Sequence, residues 1–473
     1  MAYVKGKNRN QITLFPEVID DYITEENQVR FIDAFVESLN LINFKYGQTK
    51  YSGRPPYNPK DLLKLYIYGY LNNIRSSSKL EKETHRNIEV FWLIQKLQPD
   101  HKTISNFRQD NKKLIKQVFK KFTVICKNLE LFGGELIAVD GSKFEAVNSN
   151  NRAFTKTKLQ EKIKEIEKYI DEYFEELDKN DDEESGIKDF TKKELKEEIN
   201  SLQKRKEEYE KLQEQLENSG NTQICLTDSD SRLMRTGHNG KDVCYNVQVA
   251  ADEKHNLIVD YEVTNHENDL NELSNISIKA KETLEVEEIE TLADVGYYNG
   301  KEIKKCFENG ITPYVSKPKS SGTDKKFNKS KFKYYSEKDV YVCPNDSELK
   351  FKKKKKGKNG EIYKVYRGKN CNQCKLKEKC TKSKTGREVR RWEHEEILDE
   401  MAKRYELNKE KTKKRKHIIE PVFGCLKRNF NQGYMLLKGI PEVSAEFSLS
   451  ALAYNIKRVE NIVGIKKLIK ATV

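Results

Sequence analysis

Three acidic residues stand in local contexts suited to holding divalent metal ions. They occur in Glu135-Leu-Ile-Ala-Val-Asp140-Gly, in Thr291-Leu-Ala-Asp294-Val-Gly and in His417-Ile-Ile-Glu420-Pro-Val-Phe. The first two acids end short apolar runs that are typical of strands, and the third opens a helix rich in Lys and Arg. Three carboxylates that converge from two strand ends and a helix can hold a pair of Mg²⁺ ions about 4 Å apart, an arrangement that breaks and joins phosphodiesters.

The composition indicates what kind of molecule would carry those phosphodiesters. The chain has a formal net charge of +14, which favours a polyanionic partner, and nucleic acid is the obvious one. A basic surface that serves only solubility is the alternative. With 473 residues, 36% hydrophobic and 35% charged, the sequence predicts two to four domains with lean cores.

Targeting and membrane segments are not predicted. The first ten residues are polar and basic, and no apolar run follows them. The longest apolar stretch, Leu62 to Leu71, contains Lys64 and is far shorter than the roughly 20 residues of a membrane span. We therefore expect a cytoplasmic protein without membrane contact, associated with the nucleoid when bound to DNA, whose cysteines stay reduced.

The N-terminal region, residues 1–130, is predicted to be helical. Asn58-Pro59, Ser76-Ser77-Ser78 and Asp100 have the residue types of helix starts, and apolar residues recur at helical spacing after each. The helix that Ser76-Ser77-Ser78 caps is predicted to continue through Ile94. Short helices with tight polar turns suit a DNA-docking module of helix-turn-helix type. The candidate DNA contacts are Arg75, Lys102 and Arg108, and a plain helical bundle is the alternative.

The elements between residues 136 and 315 must position the two aspartates. The pattern predicts a strand at 136–147, two strands at 243–250 and 257–263, a helix at 270–284, a strand at 289–294, a helix at 301–309 and a strand at 312–315. Residues 155–218 carry two heptad-like runs, which predict an antiparallel helical hairpin inserted after the first strand. Three strands before the first helix, with acids after the first and fourth strands, predict a ribonuclease H-like mixed sheet, with Asp140 and Asp294 on adjacent central strands.

Each acid also has a simpler interpretation. Asp140-Gly141 is a turn dipeptide, and Asp294-Val-Gly is similarly ambiguous. Glu420 could be an incidental acid on a solvated basic helix, whether that helix runs through Pro421 or begins near it. If the site is real, basic residues around Glu420 would hold phosphates beside the carboxylate: Arg415, Lys416, Lys427 and Arg428.

Four cysteines form a second candidate metal site. Cys343-Pro is followed by Cys371-x-x-Cys374 and then by Cys380. A C-x-x-C pair with two further cysteines can make a tetrahedral zinc site, here in a zinc-ribbon-like insertion. Four reduced thiols in a surface loop are the alternative.

The combination of these segments resembles the DDE transposases of prokaryotic insertion sequences. The resemblance rests on Ile137-Ala-Val-Asp-Gly-Ser-Lys, Gly237-His-Asn-Gly-Lys, Tyr245-Asn-Val-Gln-Val-Ala, Leu292-Ala-Asp-Val-Gly-Tyr-Tyr and Ile419-Glu-Pro-Val-Phe-Gly-Cys-Leu-Lys, together with Gly53-Arg-Pro-Pro-Tyr and Lys102-Thr-Ile-Ser-Asn-Phe-Arg near the N-terminus. These stretches cover nearly the whole chain in the family's order. Lys416 stands where many relatives carry Arg, unless Arg415 takes that role, and Lys cannot offer the planar fork of Arg to a phosphate.

The resemblance implies a function and a division of the chain. It implies binding of terminal inverted repeats and target DNA, a metal-binding triad of Asp140, Asp294 and Glu420 with two Mg²⁺ (or Mn²⁺) ions, cleavage and strand transfer, and a homodimer or larger assembly on DNA. The implied segments are 1–130 for DNA binding, 131–154 with 219–316 for the catalytic core, 155–218 for the hairpin, 317–397 for the Cys-rich basic insertion, and 398–473 for helices completing the core. A nuclease without strand transfer and an inactive DNA-binding descendant are the alternatives.

Overall fold

The computed structural model describes residues 18–40, 55–181, 189–237, 240–318, 327–357 and 360–472. Two of the segments that carry the resemblance lie partly outside these ranges, at Gly53-Arg54 and at His238-Asn239. In the ranges that are described, no helix is long and apolar enough to cross a membrane.

The N-terminal region consists of short helices that begin at capping residues. The Asn58 side chain accepts a hydrogen bond from the Lys60 amide at 3.0 Å, and Asp100 accepts one from the Thr103 amide at 2.9 Å. A helix predicted to run through Ile94 is instead split, because Asn87 caps a second helix. The helices are α1 (Gln28–Ser38), α2 (Pro59–Leu71), α3 (Ser77–Glu83), α4 (Ile88–Leu93), α5 (His101–Asp110) and α6 (Lys112–Asn128).

A mixed six-stranded sheet follows the helical region. The long strand β5 pairs antiparallel with β1 on one side and with β4 and β6 on the other, and β1 continues in parallel to β7 and then β8. The mixed α/β class with a helical N-terminal region is therefore confirmed. The members of the sheet are β1 (Leu136–Glu145), β4 (Arg232–Arg235), β5 (Lys241–Asp252), β6 (Ile258–Thr264), β7 (Ile289–Ala293) and β8 (Ile311–Val315), with α9 (Leu273–Leu284) and α10 (Gly300–Glu308) as crossovers.

Two long helices branch from the chain after β1. They are α7 (Lys156–Asp181) and α8 (Asp189–Ser219), and they are antiparallel because Lys156 pairs with Glu217 whereas Lys206 pairs with Glu167. The two helices form an arm, the α7–α8 arm. The short strands β2 (Ala153–Thr155) and β3 (Gln223–Cys225) pair where the chain enters and leaves this arm. The two ends of the arm are therefore held together by backbone pairing between β2 and β3.

A second sheet and the C-terminal helices follow β8. The second sheet has five antiparallel strands in the order β13-β12-β11-β10-β9. Helix α13 contains Pro421 and continues into a π-helical segment, Cys425–Asn429. The elements are β9 (Lys333–Tyr335), β10 (Val340–Val342), β11 (Glu348–Lys356), β12 (Ile362–Gly368), α11 (Lys377–Cys380), β13 (Glu388–Trp392), α12 (Glu395–Leu407), α13 (Lys409–Gly424), α14 (Ile440–Val463) and α15 (Ile465–Lys470).

Two hydrophobic clusters cover the two faces of the first sheet. One cluster joins the N-terminal helices, one sheet face and helices α13 to α15. The other joins the opposite face to α9, α10 and Met401 of α12. The two faces are thus packed on both sides, as a sheet with parallel central strands requires, and the N-terminal helices share one core with α14.

Candidate active site

Asp140 and Asp294 lie on neighbouring parallel strands. Leu136, Ile137 and Ala138 of β1 pair with Glu290, Thr291 and Leu292 of β7, so the same register brings residue 140 level with residue 294. Asp294 directly follows β7, as predicted. Asp140, however, lies inside β1, which continues to Glu145 because it remains paired with β5. The prediction that Asp140 ends its strand is therefore wrong.

Each oxygen atom of the Asp140 carboxylate accepts a hydrogen bond. Arg415 Nη1 of α13 donates to Oδ2 at 3.0 Å, and the Gly141 amide donates to Oδ1 at 3.0 Å. Burial raises the pKa of Asp140 to about 6, the Arg415 charge opposes that increase, and the Asp294 charge adds to it. Asp140 thus lies where negative charge is costly and a nearby cation is favourable.

Asp294 is positioned by the turn that follows it. Its Oδ1 accepts a hydrogen bond from the Gly296 amide at 2.8 Å, which makes Asp294 the cap of a short 3₁₀ turn. A Cβ atom on Gly296 would lie 3.0 Å from Asp294 Oδ1 and 3.8 Å from Asp269 Oδ2. The carboxylates of Asp294 and Asp269 therefore border the same small volume.

Asp269 is an acidic residue of the site that the sequence did not reveal. Its Oδ1 accepts from Asn246 Nδ2 at 2.7 Å and from Gln248 Nε2 at 2.6 Å. A Cβ atom on Gly141 would lie 2.5 Å from Asp269 Oδ1 and 2.4 Å from Gln248 Nε2, so the glycine after Asp140 makes this approach possible. The available signal was Asn246 and Gln248 themselves, two fully buried amides in an otherwise apolar strand.

Glu420 lies inside α13 rather than at its start. The buried face of this helix includes Ile418, Ile419 and Val422, whereas Glu420 is exposed. Within the part of the chain that the structure describes, no three Asp, Glu, His or Cys side chains are arranged to hold a metal ion. The structure therefore brings Asp140 and Asp294 together, and from α13 Arg415 donates to Asp140, whereas Glu420 completes no cluster of three acids among the described residues.

The other basic residues predicted near Glu420 fall into two groups. Lys416 and Arg428 are exposed. Lys427 Nζ instead donates to the Lys143 carbonyl of β1 at 2.7 Å and lies over the Phe144 ring. Burial lowers the pKa of both Lys427 and Lys143. Lys143 Nζ lies 3.9 Å from Asp269 Oδ1, which is too far for a hydrogen bond. The charge of Lys143 is therefore close to the Asp269 carboxylate without a direct hydrogen bond.

The candidate DNA contacts in the N-terminal region differ in exposure. Arg75 and Arg108 are each 6% exposed, whereas Lys102 is exposed. Arg75 donates to the carbonyls of Tyr434 and Asn431 and pairs with Glu446, and Arg108 lies over the Tyr66 ring. The two arginines are therefore part of the protein interior, and of the three predicted contacts only Lys102 is exposed.

The four candidate zinc ligands line one small cavity of about 40 Å³ beside the second sheet. The Asn345 amide donates to Cys343 Sγ at 3.4 Å, and the Asn345 side chain reaches Cys374 Sγ at 3.7 Å. Burial raises the pKa of the Cys380 thiol, and the other three sulfur atoms add to this effect. The thiols are neighbours, although in the described structure they do not form a closed metal cage.

Two segments of the chain match known protein families. Residues 342–460 match the family described as Transposase DDE domain, and residues 17–110 match the family described as Transposase domain (DUF772). The first match contains Glu420 and the four cysteines, and both aspartates lie between the two matched segments. No curated protein and no solved structure matches the chain.

Proposed function

We propose that this chain is a DDE-type transposase of an insertion sequence, which binds the terminal inverted repeats of its element, cleaves DNA there and joins the freed end to target DNA. One observation carries the proposal. Asp140 and Asp294 stand level on adjacent parallel strands, in a chain whose flanking segments match transposase domains. Synapsis of two element ends implies at least two copies of the chain in the DNA complex, and that complex would lie on the nucleoid.

The sheet order supports a ribonuclease H-like core. From one edge, the strands run β6, β5, β1, β7 and β8. The pairs β6–β5 and β5–β1 are antiparallel, and β7 and β8 are parallel to β1 after the crossover helices α9 and α10. In such a core the proposed site would be centred on β1 and the end of β7.

The acidic residues fit hard divalent cations in their chemistry. They offer carboxylate oxygens, the donors that Mg²⁺ prefers. Asp140 already pairs with a cation, the Arg415 guanidinium, in a place where burial disfavours its negative charge. Asp140, Asp294 and Glu420 would hold two Mg²⁺ or Mn²⁺ ions, which activate the attacking water or 3′-hydroxyl and stabilise the leaving oxygen.

Side chains of this protein would bind and orient the DNA around that centre. Arg415 of α13 donates to Asp140, and its planar fork suits a phosphate as well as this carboxylate. Lys416 and Arg428 are exposed and free to approach the backbone of the DNA, and Lys427 is held near β1 through the Lys143 carbonyl. These positions would align the scissile phosphate with the nucleophile.

The proposal is tested by incubating the protein with Mg²⁺ and a duplex that carries the flanking inverted repeat. We expect cleavage at the repeat boundary, and joined products when a supercoiled target is added. Cleavage without joining would make the protein a nuclease of the same core. Specific binding without cleavage, with two repeat ends present, would identify an inactive DNA-binding descendant.

A structural zinc ion is the second part of the proposal. The support is that Cys343, Cys371, Cys374 and Cys380 line one cavity, and that the Asn345 amide donates to one of the sulfur atoms. Thiolate sulfur in a set of four is the usual donor set of structural zinc. The ion would order a module that has a small hydrophobic cluster of five buried side chains.

We expect protein purified under reducing conditions without chelators to carry about one zinc ion per chain. Replacing Cys371 and Cys374 by Ser should remove the zinc, as measured by elemental analysis. Cys425→Ser, which changes a partly buried thiol outside the cavity, should keep it. Wild-type protein free of zinc under these conditions would contradict this part of the proposal.

A further inference from the structure

Strand β11 exposes an unusual run of positive charge. Lys352, Lys353, Lys354, Lys355 and Lys356 are consecutive and all exposed. The described structure shows no ion pair for any of them, whereas the neighbouring Lys350 pairs with Glu348. The run therefore presents a row of positive charge on one strand, in which only Lys353 acts on a described acid, since Arg367 and Lys353 together lower the pKa of Glu388.

The pairing of β11 with β12 concentrates this charge. Lys354 lies directly opposite Lys364, which also pairs with Asp339 at 3.4 Å. Lys355 lies opposite Tyr363, which in turn lies opposite Trp392 of β13. One sheet face thus carries a row of one lysine and two aromatic side chains across three strands.

The same hairpin reaches the neighbourhood of the candidate active site. Glu361, at the beginning of β12, pairs with Lys301 of α10 at 3.0 Å. Helix α10 begins at Gly300, six residues after Asp294. The lysine-bearing strand therefore ends close to the turn that follows one of the two aspartates.

A groove of about 730 Å³ lies between α10 and the second sheet. Its aromatic lining comes from Tyr298, Tyr363 and Trp392, and its lysines include Lys317 and Lys331. Tyr298 is four residues after Asp294. Aromatic faces beside lysines are the combination that binds nucleic-acid strands, because bases stack on the rings while ammonium groups contact phosphates.

We propose that this groove and the β11 lysine strand bind the DNA that flanks the cleavage point, outside the inverted repeat. The inference rests on the proposed function. The β11 lysines contact the phosphates of the flanking duplex, and the aromatic lining of the groove receives a base from its frayed end. The positive charge of the lysines attracts the DNA backbone. The Glu361–Lys301 ion pair, which holds the hairpin against α10, keeps the hairpin beside Asp294.

The first test replaces the five lysines of β11, residues 352–356, by Gln. Two probes are used, a duplex ending at the repeat boundary and the same duplex extended by flanking DNA. Each lost phosphate contact reduces the slope of log K against log salt by about 0.9. We expect the variant to lose a slope of at least about 2 on the flanked duplex and to change little on the unflanked one.

A matched control removes the same amount of charge elsewhere. Lys193, Lys196, Lys204, Arg205 and Lys211 are exposed on α8, and their replacement by Gln should leave both slopes unchanged. Equal losses on both duplexes, or equal losses in both variants, would overturn the proposal because they would reflect only net charge. Failure of the wild type to recognise the repeat in either duplex would instead reject the proposed function itself.

A second test uses tryptophan fluorescence to detect base stacking in the groove. The chain has two tryptophans, so Trp92→Phe leaves Trp392 as the single reporter. We expect its fluorescence to be quenched by the flanked duplex and unchanged by the unflanked one, with Tyr363→Ala reducing the quench. Emission that is the same with and without the flank, while binding is intact, would exclude base stacking in the groove.

Discussion

Asp294→Asn should lower Mg²⁺-dependent cleavage at the repeat boundary by about a thousandfold or more, the scale seen when a group that stabilises transition-state charge is lost. The asparagine keeps the size of the side chain and the acceptor for the Gly296 amide, so the turn after β7 should persist. It removes the negative charge that a divalent ion needs. The measurement is single-turnover cleavage of a labelled duplex, together with binding of the same duplex.

Binding of the duplex should be preserved in this variant, because Asp294 carries a charge that repels phosphate. The matched control is Glu253→Gln, which neutralises an acid that pairs with Lys414 on the surface, and it should cleave like the wild type. Normal cleavage by Asp294→Asn would refute the assignment of the site. Loss of both binding and cleavage would point to misfolding, which thermal unfolding of the variant would reveal.

Glu446→Ala should lower the free energy of unfolding by about 3–5 kcal/mol, the cost of breaking a buried ion pair by removing one partner. Glu446 is fully buried on α14 and accepts hydrogen bonds from the amides of Leu436 and Leu437, each at 3.0 Å. It also pairs with Arg75, which is held over the Tyr434 ring. The substitution leaves the buried Arg75 guanidinium without its carboxylate partner and removes the acceptor of the Leu436 and Leu437 amides.

Urea unfolding followed by circular dichroism measures this effect. The control is Glu442→Ala, one turn earlier on α14, which removes a partly exposed ion pair with Lys112 and should cost no more than about 1 kcal/mol. Equal midpoints for the two variants would show that the Arg75–Glu446 pair contributes no more than a surface pair.

The secondary structure was largely readable from the sequence because local signals specify it. Asn58-Pro59 and Asp100 mark helix starts that the structure confirms, and the heptad-like runs mark the two helices of the arm. The split after Glu83 was missed, since Asn87 can cap a new helix only where tertiary packing allows the chain to turn. The strand predicted at 136–147 is present as β1, but Asp140 lies inside it because pairing with β5 continues beyond the apolar run.

The candidate site was only partly predictable. Asp140 and Asp294 could be paired from strand order, which depends on short-range patterns. Asp269 could not, because it follows β6 and meets the others only through the packing of β5 against β1. The burial of Arg75 likewise depends on Glu446, 371 residues further along the chain. Sequence spacing carries no information about contacts of that kind.

Because β2 and β3 are paired, the α7–α8 arm is a place where chain could be removed or inserted. Ala153 lies opposite Cys225, so the chain leaves the core and returns to it at nearly the same place. The length of the arm is therefore uncoupled from the spacing between β1 and β4. An engineer could shorten the arm, or splice a reporter domain into its far end, without pulling on the strand that bears Asp140.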